Sequence, residues 1–262
     1  MRPLVDPTAR VDPSARLAPG CVVGAHAEIG PGCVLHPYAV VGPNTVLGAG
    51  CQVHPFTVIG GDAQDRRTPP GAPTRLICGP ENVFREHVTI SRGSEHGGGE
   101  TRLGAGNLLM AGVHVGHDCV LGNGISLANN TSLAGHVTLG DRVGVGGHAA
   151  LHQFVRVGEL AFVAAHAMVA RDVPPYCLAV GDRARLYGLN VTGLRRAGFE
   201  APTRQALRAA FRHLLGPRRS PLPPALRDVA CVRALEVFLQ AGTRGVCAVL
   251  RASHSVDSPL EP

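Results

Sequence analysis

The stretch "AGVHVGHDCVLGNG" (residues 111–124) sets His114 and His117 three apart among valine, leucine and glycine, with Asp118 directly after the second imidazole. An imidazole titrates near neutrality, so it can take a proton from a hydroxyl as that oxygen attacks an acyl carbonyl. A neighbouring carboxylate would orient it or stabilise its charge. Imidazoles can equally hold zinc, and spacing alone does not choose between the two chemistries.

Something must position these groups, and a repeat supplies it. Every sixth residue from Val5 to Ile59 is aliphatic, and the series resumes at Cys78 and Phe84. It then runs unbroken from Leu103 to Val169. In the first series the position four residues after each aliphatic is small, with Ala27, Cys33, Ala39 and Cys51 as examples, and Cys119 falls at the same place later. Period six fits neither a helix nor simple strand alternation, and hexapeptide repeats of this kind build parallel β-helices. The pattern resembles the left-handed hexapeptide acyltransferases, in which three hexads make one triangular coil. That resemblance implies roughly eight coils and a prism of about 38 Å. The fold class expected is mainly β: a left-handed parallel β-helix over 1–180, interrupted by insertion loops at 61–75 and 91–101. After Tyr176 the apolar spacing turns helical, so a small α-helical domain is expected over 181–262.

With eighteen residues per coil, residue i stacks on i+18. His117 then lies against Gly135 and Gly135 against Gln153, while Asp118 lies against His136, and His152 sits beside Gln153. These groups should form one ridge, with an open notch over Gly135, outside the apolar interior.

Composition narrows the chemistry. All 25 basic residues are arginine, so a lysine Schiff base or a Walker-type phosphate loop is excluded. The net charge is +6, and residues 181–262 carry 13 Arg against 6 Asp plus Glu, which favours an acidic partner. No nucleic-acid motif occurs, and aromatics are scarce. The eight cysteines form no CxxC pair, and those at the small repeat position are expected to be buried apolar groups. No signal core or apolar run of about 18 residues is present, so no membrane-spanning segment and a cytoplasmic location are expected.

Longer motifs are more specific: "QDRR" (64–67), "GAPTR" (71–75), "VTISRG" (88–93), the glycines 97–99, "NLLMAGVHVGHDC" (107–119), "LANNTSLAGHV" (127–137), "ALHQFVRVG" (150–158), "DVPPY" (172–176) and "GLNVTGLRRAGF" (188–199). Over about residues 5–200 the chain resembles the acyl-carrier-protein–UDP-N-acetylglucosamine O-acyltransferases, which begin lipid A synthesis; the last 60 or so residues match loosely. The resemblance implies His117 as general base toward the sugar 3-hydroxyl, Asp118 as its partner and the Gly135 N–H as oxyanion donor. It implies His114, His136, His152 and Gln153 along the groove, Asp65 and Arg67 reaching substrate from a neighbouring subunit, and Asn190 and Arg196 on the uridine and diphosphate. Ala165 would stop the acyl tail. The implied partners are acyl carrier protein, UDP-N-acetylglucosamine and two further copies in a homotrimer. No cofactor is implied beyond the phosphopantetheine that carries the acyl donor.

Four positions depart from the pattern. Thr192 stands where an acidic residue is usual, Ala197 replaces the second arginine of a pair, and Ser91 and Arg183 replace histidines. They bear on nucleotide contacts more than on the chemistry, and leave open a 3-amino sugar nucleotide as acceptor. The related N-acyltransferase normally carries an N-terminal uridine-binding domain, and a repeat beginning at Val5 argues against it. A zinc enzyme of the γ-carbonic anhydrase type is the other alternative.

Overall fold

In the computed structural model, which describes residues 2–250, each hexad becomes a two- to four-residue strand followed by a turn. The strands stack into three sheets of nine, eight and ten strands, parallel but for the last pair of the third, which form the A, B and C faces of a prism. The A face runs from Leu4–Val5 to Met168–Val169, and the B face from Arg10–Val11 to Arg156–Val157. The C face begins at Arg16–Leu17. Register follows the eighteen-residue spacing, with Val115 opposite Leu133 and Leu133 opposite Leu151. The two insertions lengthen single coils, so Ile59 faces Ile90 and Cys78 faces Leu103.

The inward aliphatics Leu35, Val53, Leu109, Leu127 and Val163 are fully buried. The small position has a further use. The Cys33 Sγ donates to the Gly48 carbonyl at 3.1 Å, Cys119 to Ala134 at 3.2 Å, and the Thr131 hydroxyl to Gly146 at 3.2 Å. Each pins a turn carbonyl fifteen residues ahead, a use that a Cys or Thr at this position offers and an Ala does not. Asn107 does similar service inside the turns between the B and C faces: it takes the Ile125 N–H at 2.7 Å and donates to the Gly122 carbonyl at 3.0 Å. From Gly20 on, the simple corners turn on a residue in the left-handed region; Asp118, His136 and Phe154 are three, with φ between 59° and 65°.

Beyond the last coil, Cys177–Val180 pairs antiparallel with Arg185–Leu189. Part of the span expected to be helical is therefore strand. Helices α1 (Val191–Arg196), α2 (Ala201–Leu214), α3 (Pro224–Arg227) and α4 (Ala230–Gln240) follow. Leu207 and Ala210 of α2 and Val232 and Leu235 of α4 are completely buried. The chain then returns to the prism, where Val246 bridges Asp172 and Val249 bridges Leu186. The remainder of the expected C-terminal domain, residues 251–262, lies outside the described residues.

Candidate active site

Five successive coils meet at the edge where the A face turns into the B face. From bottom to top, that edge carries the loop 62–74, the loop 92–99, and the turns 116–119, 134–137 and 152–155. His117 and Asp118 occupy the middle level. The His117 Nδ1 lies 2.7 Å from the Asp118 Oδ2. The turn geometry makes this possible, because the left-handed Asp118 folds its carboxylate back beside the preceding ring. The His136 Nε2 stands 3.7 Å from the same oxygen, its ring at right angles to that of His117, and Phe154 stacks on His136 at 4.4 Å.

Two expectations change here. The notch over Gly135 is filled by the His117 ring itself: a Cβ on Gly135 would sit 2.7 Å from its Nε2 and Cε1. His117 and Asp118 are also buried rather than exposed on a ridge, at 6% and 7% accessibility, because the second insertion folds over them. In that loop Ser94 donates its amide to the Asp118 Oδ1 at 3.0 Å and its hydroxyl to the Oδ2 at 2.5 Å. The Asp118 amide donates to the Thr101 hydroxyl at 2.8 Å.

The surrounding groups follow from the same stacking. On the A-face strand, His114 bonds Thr89 at 2.8 Å, and burial together with His117 holds its pKa below the ordinary histidine value. Burial also lowers His136, against the pull of Asp118. Asp65 and Arg67 lie on the first insertion loop, which leaves the same edge two coils earlier. The Arg67 guanidinium pairs with Asp65 at 2.7 Å and holds its carboxyl well below the usual carboxylate range, with a smaller contribution from His117.

At the top, the His152 Nδ1 accepts from the Arg244 Nη2 at 2.8 Å. Beside it opens a groove of about 730 Å³ over the A face, floored by Leu151, Met168 and Val169 and rimmed by Arg171, Arg183 and Arg185. Gln153 is exposed next to His152.

The remaining expected residues lie elsewhere on the chain. Asn190 caps α1, taking the Gly193 amide and donating to the Leu160 carbonyl at the B–C edge, so both ends of its side chain are engaged. Arg196 is exposed at the end of that helix. Ala165 is exposed at the C–A edge, one level above Gly147. Ser94, Thr89, Thr101 and Arg244 were not singled out from the sequence. Only the glycine run 97–99 hinted at a loop packed this closely: a Cβ on Gly97 would lie 2.1 Å from the Asp118 Oδ2.

His117, Asp118 and His136 offer ligand atoms within 4.8 Å of one another. Two ligands on one tetrahedral zinc stand roughly 3.4 Å apart. The 2.7 Å between Nδ1 and Oδ2 is instead the length of a hydrogen bond. The donor set is arranged as an imidazole held by a carboxylate, with the imidazole's Nε2 directed toward Gly135.

Known proteins with this architecture are numerous. A family described as "Udp N-acetylglucosamine O-acyltransferase; Domain 2" matches residues 172–247, and a bacterial transferase hexapeptide family matches residues 26–61. A Paraburkholderia phymatum protein named acyl-[acyl-carrier-protein]–UDP-N-acetylglucosamine O-acyltransferase is 38% identical over 184 residues, 66% of this chain and 70% of its own. The chain belongs to the UDP-N-acetylglucosamine O-acyltransferase family. An Anaeromyxobacter relative of the same name is 48% identical over 150 residues, and the match spans 58% of its length. Among solved structures, the Acinetobacter baumannii enzyme is 33% identical with a TM-score of 0.84, covering 93% of this chain and 99% of its own. The UDP-N-acetylglucosamine O-acyltransferase of Moraxella catarrhalis is 34% identical with a TM-score of 0.88, covering 94% and 97%. As in this family, the prism is a left-handed parallel β-helix.

Proposed function

We propose that the protein transfers a 3-hydroxyacyl chain from acyl carrier protein to the 3-hydroxyl of UDP-N-acetylglucosamine, the first step of lipid A synthesis. The observation that carries this reading is the buried His117–Asp118 pair at 2.7 Å, in a chain of a family whose members are named for this reaction. Asp118 accepts a hydrogen bond from the His117 Nδ1–H, which fixes the tautomer and leaves the Nε2 lone pair free to act as base. The Nε2 removes the proton of the sugar hydroxyl, and the oxygen attacks the thioester carbonyl. The Gly135 amide is the candidate donor to the resulting oxyanion. When the intermediate collapses, the carbon–sulfur bond breaks and the imidazolium returns its proton to the departing thiolate. No cofactor is needed beyond the phosphopantetheine that brings the acyl group.

His114 and His136, whose pKa values burial holds below the ordinary histidine value, stand around the reacting groups, and His152 and Gln153 extend the same wall. Arg67, on the first insertion loop, would meet the sugar nucleotide while pairing with Asp65. Asn190 and Arg196 lie away from His117 within one chain, on the α1 side of the B–C edge. That separation supports a homotrimer in which the nucleotide is held between copies. The arginine-rich C-terminal helices suit an acidic acyl carrier protein. Among the described residues no helix is long and apolar enough to cross a membrane.

Mass spectrometry of UDP-N-acetylglucosamine incubated with a set of 3-hydroxyacyl carrier proteins tests the reading. An ester of the sugar nucleotide is expected. Acylation of the 3-amino analogue alone would move the protein to the amide-forming relatives.

A further inference from the structure

We propose that Ser94 is a positioning residue for the base, completing a Ser94–Asp118–His117 relay in which the second insertion loop fixes the carboxylate that orients the imidazole. The inference rests on the reading of His117 as general base.

The geometry is specific. Ser94 is 1% exposed and spends both of its donors on one carboxylate, the amide on Oδ1 and the hydroxyl on Oδ2. With both oxygens anchored, the carboxylate cannot turn about its own axis, and Oδ2 keeps one direction for the His117 Nδ1. The loop is shaped around this contact. Gly99 and Gly97 return their amides to the Ser94 carbonyl at 3.0 and 3.2 Å, and Gly97 passes Asp118 at a distance no side chain would allow. The Asp118 backbone is held separately by Thr101. Removing the Ser94 hydroxyl therefore leaves the turn anchored and changes the carboxylate alone.

The electrostatic consequence has a definite sign. A hydroxyl donated to Oδ2 draws off part of its negative charge. Without it, the carboxylate stabilises the His117 imidazolium more strongly, and the base should titrate at higher pH. The other charged or titratable groups facing His117 are His114 on its strand, His136 on the next coil, and Asp65 and Arg67 on the first loop. None of them changes in a Ser94 variant.

The test compares wild type with Ser94→Ala, Ser94→Cys and Ser94→Thr, reading the NMR titration of His117 in the full-length protein alongside kcat, KM and the pH profile of transfer. In Ser94→Ala the His117 titration and the acid limb of kcat should move upward. Its kcat should fall about 10- to 100-fold with little change in KM, the scale of a misoriented catalytic group. Ser94→Thr should restore both. Ser94→Cys fills the same space with a weak donor, so it should behave like the alanine variant even if that one folds poorly. A shifted His117 titration supports the relay whether or not UDP-N-acetylglucosamine is the acceptor. If titration and pH profile are those of wild type, and only yield or thermal stability changes, Ser94 is a loop brace and the proposal is overturned.

Discussion

Gly135 shows how little freedom the site leaves at the residue scale. Its missing side chain is the space that the His117 ring occupies, so Gly135→Ala should push the ring from its place. A displacement near 1 Å costs on the order of 10²-fold in rate. We expect kcat to fall by about that factor while the melting temperature stays within a few degrees of wild type, checked by steady-state kinetics and calorimetry. The buried histidines also set a pH limit. His114 and His136 have folded pKa values below the unfolded value near 6.5, so the unfolded chain binds protons first as pH falls. Their neutral burial costs nothing above about pH 6.5, and the fold should lose stability as pH drops from there through their lowered values. Melting temperature measured from pH 8 to pH 5 should show this fall, and His114→Asn should flatten part of it. At this scale the sequence showed which residues converge, because i+18 stacking follows from the repeat. It did not show Ser94 or Arg244, since those contacts come from loops whose path no periodicity dictates.

The elements that position the site differ in what stabilises them. The coils are tied by ladders such as Asn107, whose side chain serves two backbone groups on the next level. Asn107→Ala would leave the Ile125 N–H and the Gly122 carbonyl unpaired inside the prism. Each such group costs about 1–3 kcal/mol, so a loss of about 2–4 kcal/mol is expected in denaturant unfolding. The C-terminal return segment is a separate element with its own effect on the site. It carries Arg244 to His152, where the guanidinium donates to the ring Nδ1 at 2.8 Å and to the Ala170 carbonyl at 3.1 Å. The hexads were legible because every one repeats the same inward aliphatic. The strand at Arg185–Leu189 was not, because its pairing is antiparallel and interrupts the period just before the helical spacing begins.

For the whole molecule, the three edges of the prism carry different parts of the expected site. His117 lies at the A–B edge, Asn190 engages the B–C edge, and Ala165 sits at the C–A edge. One chain cannot bring them together, which is the physical reason for expecting an assembly of copies. Mixing two inactive variants, one altered at His117 and one at Arg196, should then restore partial transfer through shared clefts, whereas sites complete within a chain would give none. The C-terminal arginines, with Arg218 and Arg219 exposed between the helices, should make the apparent KM for the acyl donor rise with salt. A KM that stays flat to several hundred millimolar salt would remove charge steering. Ala165→Met should shift preference toward a shorter acyl chain: each buried methylene contributes about 0.8 kcal/mol, so two carbons change preference roughly tenfold. An unchanged chain-length profile would place the stop elsewhere.

The central claim is that His117 is the base for acyl transfer. Initial rates of wild type and His117→Ala, with UDP-N-acetylglucosamine and a 3-hydroxyacyl carrier protein at a pH near 8, test it most directly. The variant should keep its fold by circular dichroism, because the imidazole packs between loops rather than in the aliphatic core, and its rate should fall by at least about 10²–10⁴-fold. A folded His117→Ala protein working within a few-fold of wild type would contradict the account.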